Sequence, residues 1–282
     1  MKFITKYFIV DNYMPELENP NFDNLIDEIF ETLINYLNLI SIKWKKINLI
    51  IQKKESQYYK NKIYVSLRNR NKPINEILNE FQKIFKHELT HCLIEKYYGS
   101  SPAIFWEGIP VFLADNEYFI KFKKFSYHEI CKFLINTNNL FNLKCIQESQ
   151  KYYGRRHDFR VDVVCASFVG FLIEKYGITN LQIFFKYYHK PVPENPISNI
   201  NEALTKAYGN DINYLETVWH DYLLHDINEN PKIFEMFHNK KFYKIIPMKN
   251  KHCKFCNFPL ENKKIDLCPD CKADNKIKVK TL

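Results

Sequence analysis

A long stretch of helical periodicity lies between Pro73 and Gly99. Proline is favoured at the start of a helix and glycine just past its end, so these two residues mark its limits. The apolar residues between them recur at spacings of three and four, as one packed helix face requires: Ile74, Ile77, Leu78, Phe81, Ile84, Phe85, Leu89 and Leu93. The pattern predicts one long amphipathic helix that runs to about Tyr98.

Within this helix the string His87-Glu88-Leu89-Thr90-His91 places two histidines four residues apart. Residues at that spacing lie on one face about one turn apart, so both imidazoles can bind a single zinc ion. Glu88 is rotated by about 100° from His87, which suits a general base beside the metal rather than a ligand. A pattern this short also arises by chance on many helices. Here it lies at the edge of the apolar face, where residues that line a cleft are expected.

The third ligand decides what kind of metal site this is. Glu95 lies on the same helix and is badly placed to close a tetrahedral site, so it either orients His91 or is a solvated surface carboxylate. Glu107 follows after fifteen intervening residues, enough for a turn and an antiparallel second helix, and no histidine occurs between His91 and His128. Two histidines and one glutamate leave the fourth position open, as in catalytic zinc sites.

The rest of the chain predicts a small N-terminal sheet followed by many helices. Short β-branched runs bounded by polar loops predict strands at 3–10, 46–53 and 62–67. Apolar residues at helical spacing predict helices at 22–40, 104–118, 160–175, 179–188, 200–208 and 211–225, and residues 127–150 are helical and turn-rich. The fold class predicted from this order is α+β.

At this point the residues resemble a known group. HELTH followed by WEGIPVFLAD is similar to the peptidase MA-like, gluzincin metallopeptidases, in which a segment with Trp and Glu-Gly carries the third ligand. Residues 166–177 and 202–219 also resemble the packing helices of that family. The resemblance implies a zincin-like catalytic domain over 1–228, and a zinc-dependent hydrolase acting on peptide or protein substrates. His87, His91 and Glu107 would be the ligands in such an enzyme, and Glu88 the base.

Three positions depart from the family pattern. Pro110 stands where the family usually has alanine, and Val111 stands where thermolysin-like enzymes have an aspartate that orients a histidine. Asp162 aligns with the family's tyrosine, which donates to the tetrahedral oxyanion; an ionised carboxylate cannot donate. Several nearby residues are candidates to stabilise the transition state instead, and the sequence does not choose among them: Tyr152, Tyr153, Arg155, Arg156 and His157.

The C-terminal segment predicts a second zinc site of a structural kind. Two CxxC pairs, separated by eleven residues, can form a closed tetrahedral thiolate site, and their members are Cys253, Cys256, Cys268 and Cys271. The tail has few large apolar residues, so metal would supply its folding energy. We therefore expect a linker at 229–249 and a zinc ribbon at 250–275.

Charge and apolar runs set expectations for partners and location. The net charge is +9, and residues 231–282 hold 13 Lys and 5 acidic residues. That basic tail can bind nucleic acid or an acidic partner, although a solvated lysine face has the same composition. The longest apolar run, 163–173, is too short to cross a bilayer, and no signal peptide is visible. Paired CxxC motifs suit a reducing compartment, so we expect a cytoplasmic protein without a membrane partner.

Two alternatives remain open. A SprT-like protease, which acts on DNA-bound proteins, also combines HExxH with a C-terminal zinc ribbon. Such enzymes use a third histidine, however, and no suitable one precedes His128. The other alternative is a degenerate peptidase domain that serves as an adaptor, with the ribbon binding nucleic acid or protein. It predicts zinc in the ribbon, no turnover and salt-sensitive binding through the tail.

Overall fold

The computed structural model of the chain describes residues 1–17, 21–52, 56–59, 61–67, 72–99, 101–114, 125–148, 159–188 and 196–233. The predictions for Tyr153, His157, the four ribbon cysteines and the linker beyond 233 lie outside these residues. Within them, no helix combines the length and apolar character that crossing a membrane requires.

The N-terminal part is a five-stranded mixed sheet. Its strands are β1 (Lys2–Ile4), β2 (Phe8–Asn12), β3 (Ile47–Gln52), β4 (Gln57–Tyr59) and β5 (Lys62–Ser66), arranged in the order β1-β2-β3-β5-β4. The three central strands run parallel, and each outer strand is antiparallel to its neighbour. Parallel neighbours need a crossover connection, and the helix after β2 supplies one.

The remainder is mostly helical. Its helices are α1 (Phe22–Tyr36), α2 (Ile74–Tyr98), α3 (Ala103–Leu113), α4 (Tyr127–Asn136), α5 (Leu143–Glu148), α6 (Phe159–Tyr176), α7 (Ile178–Tyr187), α8 (Pro196–Tyr208) and α9 (Ile212–His225). The long helix predicted after Pro73 is confirmed, and Gly99, with φ of 78°, ends it in the left-handed region that favours glycine. The described chain is therefore mixed α/β. It has a small N-terminal sheet, and the remainder is mostly helical.

The prediction of one continuous strand over 3–10 was wrong, because the segment folds into a tight β1–β2 hairpin. Thr5 makes the turn: its hydroxyl accepts the N–H groups of Tyr7 and Phe8 at 3.3 and 3.1 Å. The same hydroxyl donates to the carboxylate of Asp27 at 2.7 Å, which ties the turn to α1. The short strand β4 was not predicted either, since three residues are too few to show alternation.

Two apolar cores divide the described molecule. The first lies between the sheet and helices α1 and α2, and we call this part, residues 1–98, the sheet lobe. The second lies among α3–α9, which we call the helical lobe. Helix α2 joins them: Phe81, Phe85 and Leu89 lie in the sheet-lobe core, whereas Ile94 lies in the helical-lobe core. The boundary between the lobes therefore passes alongside the HExxH segment.

Candidate metal site

Helix α2 places His87 and His91 on one face, as the spacing predicts. Their Nε2 atoms are 3.1 Å apart, and both side chains are buried. The helix is held in this rotation by its apolar face, since Phe81 packs on Phe22 of α1 at 4.8 Å and Phe85 lies edge-on to Phe8 of β2 at 5.4 Å. Each fully buried aromatic of this kind contributes roughly 1.5–3 kcal/mol through burial. Packing of the sheet-lobe core thus fixes the direction of both imidazoles.

Helix α3, from the other lobe, brings in Glu107. Its Oε2 atom lies 3.7 Å from Nε2 of His87 and 3.6 Å from Nε2 of His91. The three potential ligand atoms all lie within 4.8 Å of one another. Zinc bonds of about 2.0–2.1 Å in a tetrahedral site space ligand atoms by about 3.3 Å, so the three observed separations fit one ion. The donor set of two nitrogens and one oxygen could hold a metal ion here.

Glu88 is buried beside this cluster. Burial raises the pKa of its carboxyl to about 7; His91 opposes that rise, and the nearby carboxylate of Glu107 adds to it. The backbone N–H of Tyr58 donates a hydrogen bond that favours the ionised form. Tyr58 belongs to β4, the outer antiparallel strand of the sheet, which therefore runs along α2 at the level of Glu88.

Trp106 and Glu95 take different positions around His91. The ring of Trp106 packs on the imidazole of His91 at 4.6 Å with a tilt of 36°. Glu95 is exposed and interacts with the hydroxyl of Tyr58. Among the described residues, Nδ1 of His91 has no hydrogen-bond partner. The ring contact with Trp106 and the Glu107 carboxylate 3.6 Å from Nε2 are described interactions that restrain the imidazole.

The other residues singled out from the sequence do not join this cluster. Val111 is fully buried in the helical-lobe core, and its carbonyl accepts the hydroxyl of Tyr127 at 2.9 Å. Asp162 lies in the first turn of α6 and is partly exposed. The structure thus brings together His87, Glu88, His91 and Glu107. Tyr153 and His157 are among the residues that it does not describe.

Sequence reasoning missed the contributions of Tyr58 and Trp106. Tyr58 acts through its backbone, so no side-chain pattern marks it. Trp106 immediately precedes Glu107 in the sequence. Because neighbouring residues on a helix are rotated by about 100°, this adjacency does not by itself predict the ring contact with His91.

Comparison with known proteins adds no assignment to this geometry. No family model matches the chain, and no curated protein matches it.

Proposed function

We propose that this protein is a zinc-dependent peptidase of the gluzincin type, with a zincin-like catalytic domain. The observation that carries the proposal is the convergence of His87, His91 and Glu107 on one point, with buried Glu88 next to them. Three ligands leave a fourth position open, which is typical of a catalytic rather than a structural zinc site. The substrate class that follows is a peptide or protein.

Zinc held by these three residues would supply a Lewis acid, which activates water and polarises a substrate carbonyl. Glu88 then has the task of a general base. Its carboxylate accepts a proton from the attacking water and returns it to the amine nitrogen that leaves, so the residue ends the cycle in its starting state. The N–H of Tyr58 holds the carboxylate in place for both transfers.

The arrangement of the lobes also supports this proposal. Two ligands come from the sheet lobe and the third from the helical lobe, so the proposed site lies at the boundary between the two apolar cores. Ligand sites often occur at boundaries between packed units of this kind. The edge strand β4 runs along the same helix and offers backbone groups at the level of Glu88.

The proposal extends to the C-terminal segment through its sequence. Cys253, Cys256, Cys268 and Cys271 would hold a second, structural zinc in a ribbon over 250–275. The basic tail would contact nucleic acid or an acidic partner. Tyr153 and His157 are the proposed stabilisers of the oxyanion. The paired CxxC motifs support a cytoplasmic location.

A non-enzymatic adaptor is the second candidate, and Val111 favours it. A buried valine stands where a carboxylate would orient a ligand in thermolysin-like enzymes, and Nδ1 of His91 has no partner among the described residues. Outer hydrogen bonds typically contribute 10–100-fold to metal affinity or activity. An adaptor would keep zinc and lack turnover.

The first experiment counts zinc per chain by elemental analysis in the wild type and in His87→Ala. We expect two zinc ions in the wild type and one in the variant, because only the ribbon site would remain. One zinc in both proteins would mean that α2 carries no metal, and the adaptor would become the better proposal.

The second experiment measures peptide hydrolysis. Glu88→Gln should lower turnover by about 10²–10⁴-fold, the usual contribution of a general base, with both zinc ions retained. Glu76→Gln is the matched control, because Glu76 is an exposed carboxylate in the first turn of the same helix and should leave turnover unchanged. Full activity in Glu88→Gln would exclude Glu88 as the base.

A further inference from the structure

Helices α3 and α6 cross at very short range, and Gly108 is the residue at the crossing. A Cβ atom built on Gly108 would lie 2.7 Å from the carbonyl oxygen of Cys165 and 2.7 Å from Cγ2 of Val169. Both distances are well below van der Waals contact. Since the first of these atoms belongs to the backbone of α6, it cannot rotate away. Any side chain at position 108 would therefore have to move one helix relative to the other.

The residue before Gly108 is Glu107, the ligand that the helical lobe contributes. Its Oε2 atom lies 3.6–3.7 Å from the two imidazole nitrogens of α2. A functional site of this kind has to be held within about 0.5 Å of its working geometry. Helix α3 packs against α2 and α6 together, so a displacement from α6 changes the position of Glu107 relative to His87 and His91.

We propose that Gly108 is a positioning residue for the metal site, and that the close α3–α6 crossing sets where the carboxylate of Glu107 lies. This inference rests on the proposed zinc function. The absence of a side chain at 108 lets α3 lie directly on the backbone of α6, and this seats the third ligand opposite the two histidines. Gly108 itself touches neither metal nor substrate.

Gly170, on α6, provides a matched comparison at the same helix pair. A Cβ atom there would meet the ring of Phe112 at 2.7 and 2.9 Å and Nε2 of His128 at 3.4 Å. These are side-chain atoms, and Phe112 is partly exposed, so its ring can move without shifting the backbone of α3. Alanine at 170 should reduce stability through packing and leave Glu107 in place.

The test measures zinc affinity of the α2–α3 site in the full chain. Zinc per chain is recorded across a series of buffered free-zinc concentrations for the wild type, Gly108→Ala and Gly170→Ala, with the melting temperature of each. Gly108→Ala should weaken the site by about 10-fold or more, as loss of an outer support does. Gly170→Ala should lower the melting temperature and bind zinc as the wild type does.

If Gly108→Ala does not fold, Val169→Ile is a second variant that tests the same contact. It enlarges the α6 side of the same contact, leaves α3 unchanged, and should weaken zinc binding to a smaller extent. Unchanged zinc affinity in the variants at this contact, or an equal loss in Gly170→Ala, would overturn the positioning role and leave the proposed function standing. A wild type with zinc only in the ribbon would overturn both.

Discussion

Buried polar groups find their hydrogen-bond partners differently in the two lobes. In the sheet lobe the strands pair with one another, so the backbone ladder takes up most N–H and C=O groups. In the helical lobe, side chains reach helix ends that are distant in sequence. Lys132 on α4 donates to the carbonyl of Leu224 in the last turn of α9 at 3.0 Å, and to that of Ile227 just beyond the helix at 2.6 Å.

Further bonds of this type join α4, α5, α6 and α9. A carboxylate oxygen of Glu216 accepts the N–H of Leu143, the first residue of α5, at 2.7 Å. The hydroxyl of Ser167 accepts the indole N–H of Trp219 at 3.2 Å and bonds to Nδ1 of His128 at 2.9 Å. Helix ends leave unsatisfied backbone groups, and Lys132 and Glu216 supply partners for some of them. Ser167, His128 and Trp219 satisfy one another's side chains instead. The helical lobe therefore adds long-range side-chain bonds to its helices, whereas the sheet lobe joins its strands through repeated backbone pairs.

The largest expected effect tests whether the two cores unfold together. Phe30→Ala in α1 and Phe168→Ala in α6 each remove a fully buried ring and should cost about 3–5 kcal/mol. Both should shift one common transition, because α2 contributes to both cores and Tyr98 packs against both. Urea unfolding is followed by tryptophan fluorescence in two single-tryptophan chains. One retains only Trp44, which reports on the sheet lobe, and the other retains only Trp219, which reports on the helical lobe. Two transitions, each moved by only one substitution, would show independent lobes.

The next effect concerns the ligand that the helical lobe supplies. Glu107→Ala should weaken zinc binding at the α2–α3 site by at least about 100-fold, the upper end of the loss when an outer partner is removed. Zinc titration in chelator buffers measures it. Glu202→Ala is the control, because Glu202 is an exposed glutamate on α8 of the same lobe. Equal affinity in Glu107→Ala and the wild type would show that the sheet lobe binds the ion without α3.

A smaller effect is expected at the polar network of the helical lobe. Ser167→Ala leaves the indole N–H of Trp219 and a nitrogen of His128 without their partner in a buried place. It should reduce the free energy of unfolding by about 1–3 kcal/mol, measured by urea denaturation. Ser41→Ala, at an exposed serine, should change it by less than about 0.5 kcal/mol. Equal values for the two variants would contradict a role for this network.

The smallest effect is a pH dependence at Glu216. Burial raises the pKa of its carboxyl above the ordinary value, and the N–H of Leu143 opposes this. Because the folded pKa is raised, the folded chain keeps this proton to higher pH than the unfolded chain. The free energy of unfolding therefore falls as pH rises from about 4.3 through the folded pKa.

Glu216→Gln keeps an acceptor oxygen for Leu143 and removes the titration. The difference in unfolding free energy between variant and wild type should grow in favour of the variant as pH rises, and vanish in acid. Urea unfolding at several pH values gives this difference directly. Parallel pH profiles for the two proteins would mean that Glu216 titrates alike in the folded and unfolded states.

The parts of the molecule that were predictable are those governed by local periodicity. The limits of α2 follow from Pro73, Gly99 and the apolar spacing between them, and the shared face of His87 and His91 follows from their separation of four. Glu107 could be proposed as the third ligand because no histidine is available before His128. These inferences need only the geometry of one helix and the chemistry of the ligands.

The other features of the molecule depend on contacts between distant parts of the chain. The hairpin at Thr5, the strand β4 beside Glu88 and the crossing at Gly108 each depend on a partner more than twenty residues away in the sequence. Gly108 illustrates the reason. The glycine is needed because the backbone of Cys165 lies so close to it, and the residues around position 108 do not reveal that close approach. The backbone geometry of a helix repeats about every four residues, so the local sequence is enough to predict its limits and its faces. The approach of two helices is set by packing across the whole core, and the site takes its shape from that approach.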